Sequence, residues 1–72
     1  MIEVFKTNIN HKKDAERMLK LLHSALQNHH INFDLEDCDR ILRVENRNNT
    51  IDIPFIENIL EEKGFHCEVL PD

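Results

Sequence analysis

The chain has 72 residues, with nine Lys and Arg against fourteen Asp and Glu, a formal net charge of −5. That length leaves room for one domain, expected to span residues 1–72, and a chain this small buries only roughly 60% of its unfolded surface. The acidic balance argues against sequence-blind binding to nucleic acid or anionic lipid, which needs clustered Lys and Arg.

Residues 1–6, Met-Ile-Glu-Val-Phe-Lys, lack the basic start and apolar run of a signal peptide. No stretch approaches the roughly 18 apolar residues that span a bilayer, so membrane insertion is not expected. Two cysteines, Cys38 and Cys67, are too few for a disulfide scaffold. A cytoplasmic protein with reduced thiols is the expectation.

In chain order, Ile2, Val4 and Phe5 mark a short first strand. Lys6 to Asn10 is polar and turn-like, and Asn10 is placed to cap a helix. Residues 11–28 carry a helical period, with Ala15, Met18, Leu19, Leu22 and Leu26 on one apolar stripe. Asn28-His29-His30 reads as its end, both histidines suiting the negative end of the helix dipole. His23 and His30, seven apart, would share a helical face.

Residues 31–36 alternate strictly, Ile31, Phe33 and Leu35 against Asn32, Asp34 and Glu36, the pattern of a half-buried strand. Asp37-Cys38-Asp39 forms a hairpin tip, and residues 40–45 return with Leu42 and Val44 inward. A second helix covers residues 53–63, with Asp52 as N-cap, Pro54 in the first turn and Ile56, Ile59 and Leu60 as its stripe. Gly64, the only glycine, suits the left-handed position after the helix. Residues 65–70 form a last strand, with Phe65, Cys67 and Val69 facing one way. Cys67 is then a small core hydrophobe.

The order βαββαβ is the ferredoxin-like pattern, an α+β sandwich whose two helices cover one face of a four-stranded antiparallel sheet. The other face is solvated and carries Asn32, Asp34, Glu36, Arg43 and Glu45.

Three stretches resemble the heavy-metal-associated domain of copper chaperones and of the N-terminal modules of metal-pumping P-type ATPases. They are Val4-Phe5-Lys6 with Asn8-Ile9-Asn10, Ile31-Asn32-Phe33-Asp34-Leu35, and Ile59 through Val69, including Lys63-Gly64-Phe65. The resemblance covers essentially the whole chain and implies metal handling through Met-x-Cys-x-x-Cys in the first strand–helix loop. Here Ile9 takes the methionine position, and His11 and Asp14 take the two cysteine positions. Soft Cu(I) needs thiolate or thioether ligands, so copper carriage does not transfer to these residues.

The ferredoxin-like topology brings His11, Asp14, Cys38 and His66 toward one end of the sheet. Those four are the candidate ligands of an altered site for a borderline divalent ion such as Zn²⁺, Ni²⁺ or Co²⁺. The competing reading makes His11 an exposed first-turn residue and Asp14 a partner of the positive helix end. Cys38, between two aspartates, is disfavoured as a thiolate. No nucleophile–base pair and no Gly-rich phosphate loop stands out, so an enzyme is not expected. The four phenylalanines are too scattered for a base-stacking platform. The preferred expectation is a non-catalytic domain that has lost its thiolate site, needs no cofactor, and docks a protein partner, a second copy or a small ligand. Metal binding at the altered loop is the alternative.

Overall fold

The computed structural model describes residues 1–36 and 40–71. Its elements run β1 (Ile2–Thr7), α1 (Lys12–Ala25), β2 (His30–Asp34), β3 (Ile41–Glu45), α2 (Ile53–Glu62) and β4 (Cys67–Val69). All the pairings are antiparallel and the sheet order is β2-β3-β1-β4, which is the ferredoxin-like topology. No helix among the described residues is long and apolar enough to cross a membrane.

The core lies between the sheet and the two helices. Phe5, Leu42 and Val44 from the sheet meet Met18 and Leu22 of α1 and Ile56 and Leu60 of α2, all essentially inaccessible to solvent. The helical stripes read from the spacing are the buried ones: Ala15, Met18, Leu22 and Leu26 in and just after α1, with Leu19 and Ile59 packed at the margin. Cys67 is buried, as its alternation with Phe65 and Val69 implied.

The facing of β1 follows its larger residue. Ile2 and Val4 carry β propensity, but Phe5 and Thr7 are the buried pair, which turns Ile2, Val4 and Lys6 to the open face. Phe5 offers more apolar area than either aliphatic residue, and a period of two leaves only one choice of face.

The helix ends differ from the sequence reading in α1 and match it in α2. His11 occupies the N-cap of α1 and makes no side-chain cap bond. Asn10, expected there, instead accepts from Arg40 Nε. His30 is not helical: α1 stops at Ala25, Asn28 turns through φ 66°, and His30 opens β2. His23 and His30 therefore share no helical face. His29 Nδ1 donates to the Gln27 carbonyl at 2.9 Å, leaving Nε2 to accept from Asn46 Nδ2 at 3.3 Å.

For α2, Asp52 caps as expected by accepting from the Phe55 N–H at 3.2 Å. At the other end Gly64 N–H donates to Glu61 O and Phe65 N–H to Leu60 O, each at 3.0 Å. With Gly64 at φ 86° this is the Schellman arrangement, and it aims Phe65 back toward the core.

Two strands are shorter than their alternation. Asp34 Oδ1 accepts the Glu36 N–H at 3.2 Å, a local turn that ends β2 before Leu35. β4 keeps only Cys67–Val69.

Candidate interaction surface

The loop between β1 and α1 is tied down by polar side chains. Thr7 Oγ1 donates to the Arg40 carbonyl at 2.7 Å and accepts the Ile9 N–H at 3.3 Å. Asn8 Oδ1 accepts the His66 N–H at 2.8 Å, joining the loop to the start of β4. Asn10 closes the third tie, to Arg40 at the start of β3. Arg40 itself sits at φ 48°, a conformation unusual for a residue with a Cβ, and two of these ties hold it there. Ile9, in the same loop, is fully buried.

The candidate ligands sit in this setting as follows. His11 is exposed, and Asp14 is half-buried in the first turn of α1. Asp14 lines a cavity of about 350 Å³ with Arg17, Met18, Leu21, Lys63 and Phe65. His66 approaches Glu68 instead, Nε2 to Oε2 at 3.4 Å, with both side chains mostly exposed. Among the described residues no group of three or more His, Cys, Asp or Glu side chains could hold a metal ion. His11, Asp14 and His66 are thus not brought together as a set of three. Cys38, with Asp37 and Asp39, lies outside the described residues.

The buried thiol offers no replacement. Burial, helped by the negative charges of Glu57 and Glu61, pushes Cys67 up from 9.0 to about 12. It stays protonated at neutral pH, neither a nucleophile nor a thiolate ligand.

The open face of the sheet is a more developed surface. The strand register places Asn32, Arg43 and Val4 in one row, and the Leu70 N–H donates to the Val4 carbonyl at 2.8 Å to extend it. The neighbouring rows are His30, Glu45 and Ile2 on one side, and Asp34, Ile41, Lys6 and Glu68 on the other. Val4, Ile41 and Leu70 are half-buried and Ile2 is 53% exposed, so they make an apolar strip among charges of both signs. A shallow hollow of about 250 Å³ between Asn32, Asp34, Ile41 and Arg43 lies within it. The sequence reading identified the polar half of this face. It missed Ile2, Val4 and Leu70, and the signal that finds them is the parity set by Phe5 and Thr7.

No family model matches the chain, and neither a curated protein nor a solved structure does.

Proposed function

We propose that the chain is a small non-catalytic binding module of the heavy-metal-associated type, without a thiolate metal site, whose working surface is the sheet. The observation that carries this reading is a contrast within the fold. The loop where that family holds metal is occupied by a buried Ile9 and by ties from Thr7, Asn8 and Asn10. The sheet, by contrast, exposes an apolar strip, Ile2, Val4, Ile41 and Leu70, flanked by Lys6, Arg43, Asp34, Glu45 and Glu68. A small apolar centre with a mixed charged rim is the composition of a protein-docking patch, the charges setting partner choice more than affinity. The acidic balance weighs against a nucleic-acid partner.

The test compares the wild-type protein with Val4→Asp, which puts a carboxylate in the middle of the strip without touching the core. Partners recovered by the wild type are purified and their affinities measured against both proteins. The reading expects at least about a tenfold loss for Val4→Asp, the scale of losing a central contact. Equal affinity for both proteins, or Zn²⁺ binding abolished by His11→Ala with Asp14→Ala, would overturn it in favour of the loop.

A further inference from the structure

The two edges of the sheet are not equivalent. At the β4 edge the outward Val69 N–H is taken by Glu57 Oε2 of α2 at 3.2 Å. A side chain that accepts an edge donor in this way blocks strand addition there. Among the described residues, no side chain takes an outward donor of the β2 edge in this way.

Which groups of β2 point outward follows from the register. Met1 and Asn46 exchange backbone bonds, so the β1–β3 bonds fall at Met1, Glu3, Phe5 and Thr7, and the intervening residues turn away. The bond from Leu70 N–H to Val4 O toward β4 agrees. On β3, Glu45, Arg43 and Ile41 therefore turn to β2, where they face His30, Asn32 and Asp34. Ile31 and Phe33 are left with N–H and C=O groups directed away from the sheet, and no described residue bonds to them.

We infer that β2 is a self-pairing edge: two copies of the chain join β2 to β2 antiparallel, about an axis at Asn32, into one continuous sheet. The inference goes beyond the docking reading above: it concerns the β2 edge, not the open face, and its partner is a second copy. His30-Ile31-Asn32-Phe33-Asp34 is complementary to its own reversal. Centring on Asn32 pairs all five strand residues. Ile31 and the second copy's Phe33 then exchange N–H···O=C bonds, as do Phe33 and the second copy's Ile31, using the outward groups. On the helix side the same positions put Ile31 against Phe33, an aromatic beside a β-branched residue, which is a favourable cross-strand pair. On the open face Asn32 meets itself, and His30 meets Asp34 twice, an imidazole opposite a carboxylate at each end.

Parity excludes the competing registers that shift by one, because they would put core-facing residues opposite solvent-facing ones. A shift that centres on Phe33 would need Leu35 as strand, and the Asp34 turn ends β2 before it. The strand also carries no Pro, no Lys and no bulge, three of the features that commonly block an edge. A groove of about 590 Å³ runs along this edge beneath α1, where Leu19, Phe33 and Leu35 remain partly uncovered beside Lys12 and Glu16. Joining two copies would bring their grooves together across the axis.

A five-residue edge buries less than the roughly 1,000 Å² of a stable interface, so the dimer is expected to be weak. Sedimentation equilibrium from about 10 µM to 1 mM would read a dissociation constant within that range, as suits a small interface. Amide shifts on dilution would centre on residues 30–34. His30→Asp sets two like-charged pairs across the axis and should weaken the dimer at least about tenfold. The double variant His30→Asp with Asp34→Lys puts opposite charges across the axis and should recover to within about threefold of the wild type. Both sites are exposed, and circular dichroism checks that each variant is folded. A monomer at every concentration, indifference to His30→Asp, no recovery in the double variant, or shifts centred on Ile2 and Val4 would each overturn the self-pairing. None of these changes the Val4→Asp comparison, which tests the docking reading by itself.

Discussion

Replacing Thr7 by Val tests whether the β1–α1 loop is held as a structural element. The two side chains have nearly the same shape, so the change removes a hydroxyl and leaves the packing. That hydroxyl serves two backbone groups, the Arg40 carbonyl at 2.7 Å and the Ile9 N–H at 3.3 Å. Thr7 is 5% exposed and Ile9 fully buried, so water cannot easily replace the lost partner at Ile9. Leaving a buried backbone group unpaired costs about 1–3 kcal/mol, and the Arg40 carbonyl is only partly buried, so about 2–3 kcal/mol in total is reasonable. For a domain of this size each kcal/mol lowers Tm by about 4–8 °C, giving a fall of about 10–20 °C. The assay is urea and thermal unfolding followed by circular dichroism, with Thr7→Ser as the control that keeps the hydroxyl and loses a methyl. Thr7→Val should be clearly less stable than Thr7→Ser. A loss under about 0.5 kcal/mol for Thr7→Val, the scale of an ordinary surface change, would refute the claim that these bonds lock the loop.

Other consequences follow from single residues. Gly64→Ala meets no steric neighbour, so its cost is the left-handed backbone at φ 86°, about 1 kcal/mol, read as a Tm drop of several degrees. Cys67 should resist iodoacetamide in the native protein and react once urea unfolds it, because burial holds it as a thiol. Its pKa is higher folded than unfolded, so the native state keeps the proton that the unfolded state releases; stability should therefore fall as pH rises from about 9 toward about 12. A flat unfolding midpoint across that range would contradict the assignment. Leu60→Ala empties a fully buried site between α2 and the sheet and should cost about 2–5 kcal/mol, measured by urea unfolding.

The sequence carried the fold well because its elements are locally self-consistent. The α2 unit shows this best: Asp52, Pro54, the Ile56–Leu60 stripe and Gly64 each act in the structure as their types suggest. What was not legible depends on contacts across the fold. Asn10 looks like a cap, yet Arg40, thirty residues away, claims its side chain. His30 follows a helical pattern closely enough to extend it, but pairing with Glu45 recruits it into β2. Ile2 and Val4 have strand propensity, but which face they take is decided by Phe5 and Thr7. Glu57 caps the β4 edge from another element, twelve residues from Val69, and no local pattern announces it. At the candidate ligands, topology gathered the right connections at one end, as the ties among Thr7, Asn8, Asn10, Arg40 and His66 reflect. It could not foresee that His66 turns to Glu68 while Asp14 lines a cavity beside Arg17 and Lys63.

The claim that the work of this fold lies on its sheet and not in its loop is tested most directly by one titration. Zn²⁺ is added to the isotope-labelled wild-type protein while the backbone amides are followed by NMR, in parallel with the His11→Ala, Asp14→Ala double variant. The expected result is no saturable shift at residues 8–14 up to equimolar ion, and the same response in both proteins. A stoichiometric, saturating shift at His11 and Asp14 that disappears in the double variant would contradict the account and return the function to the loop.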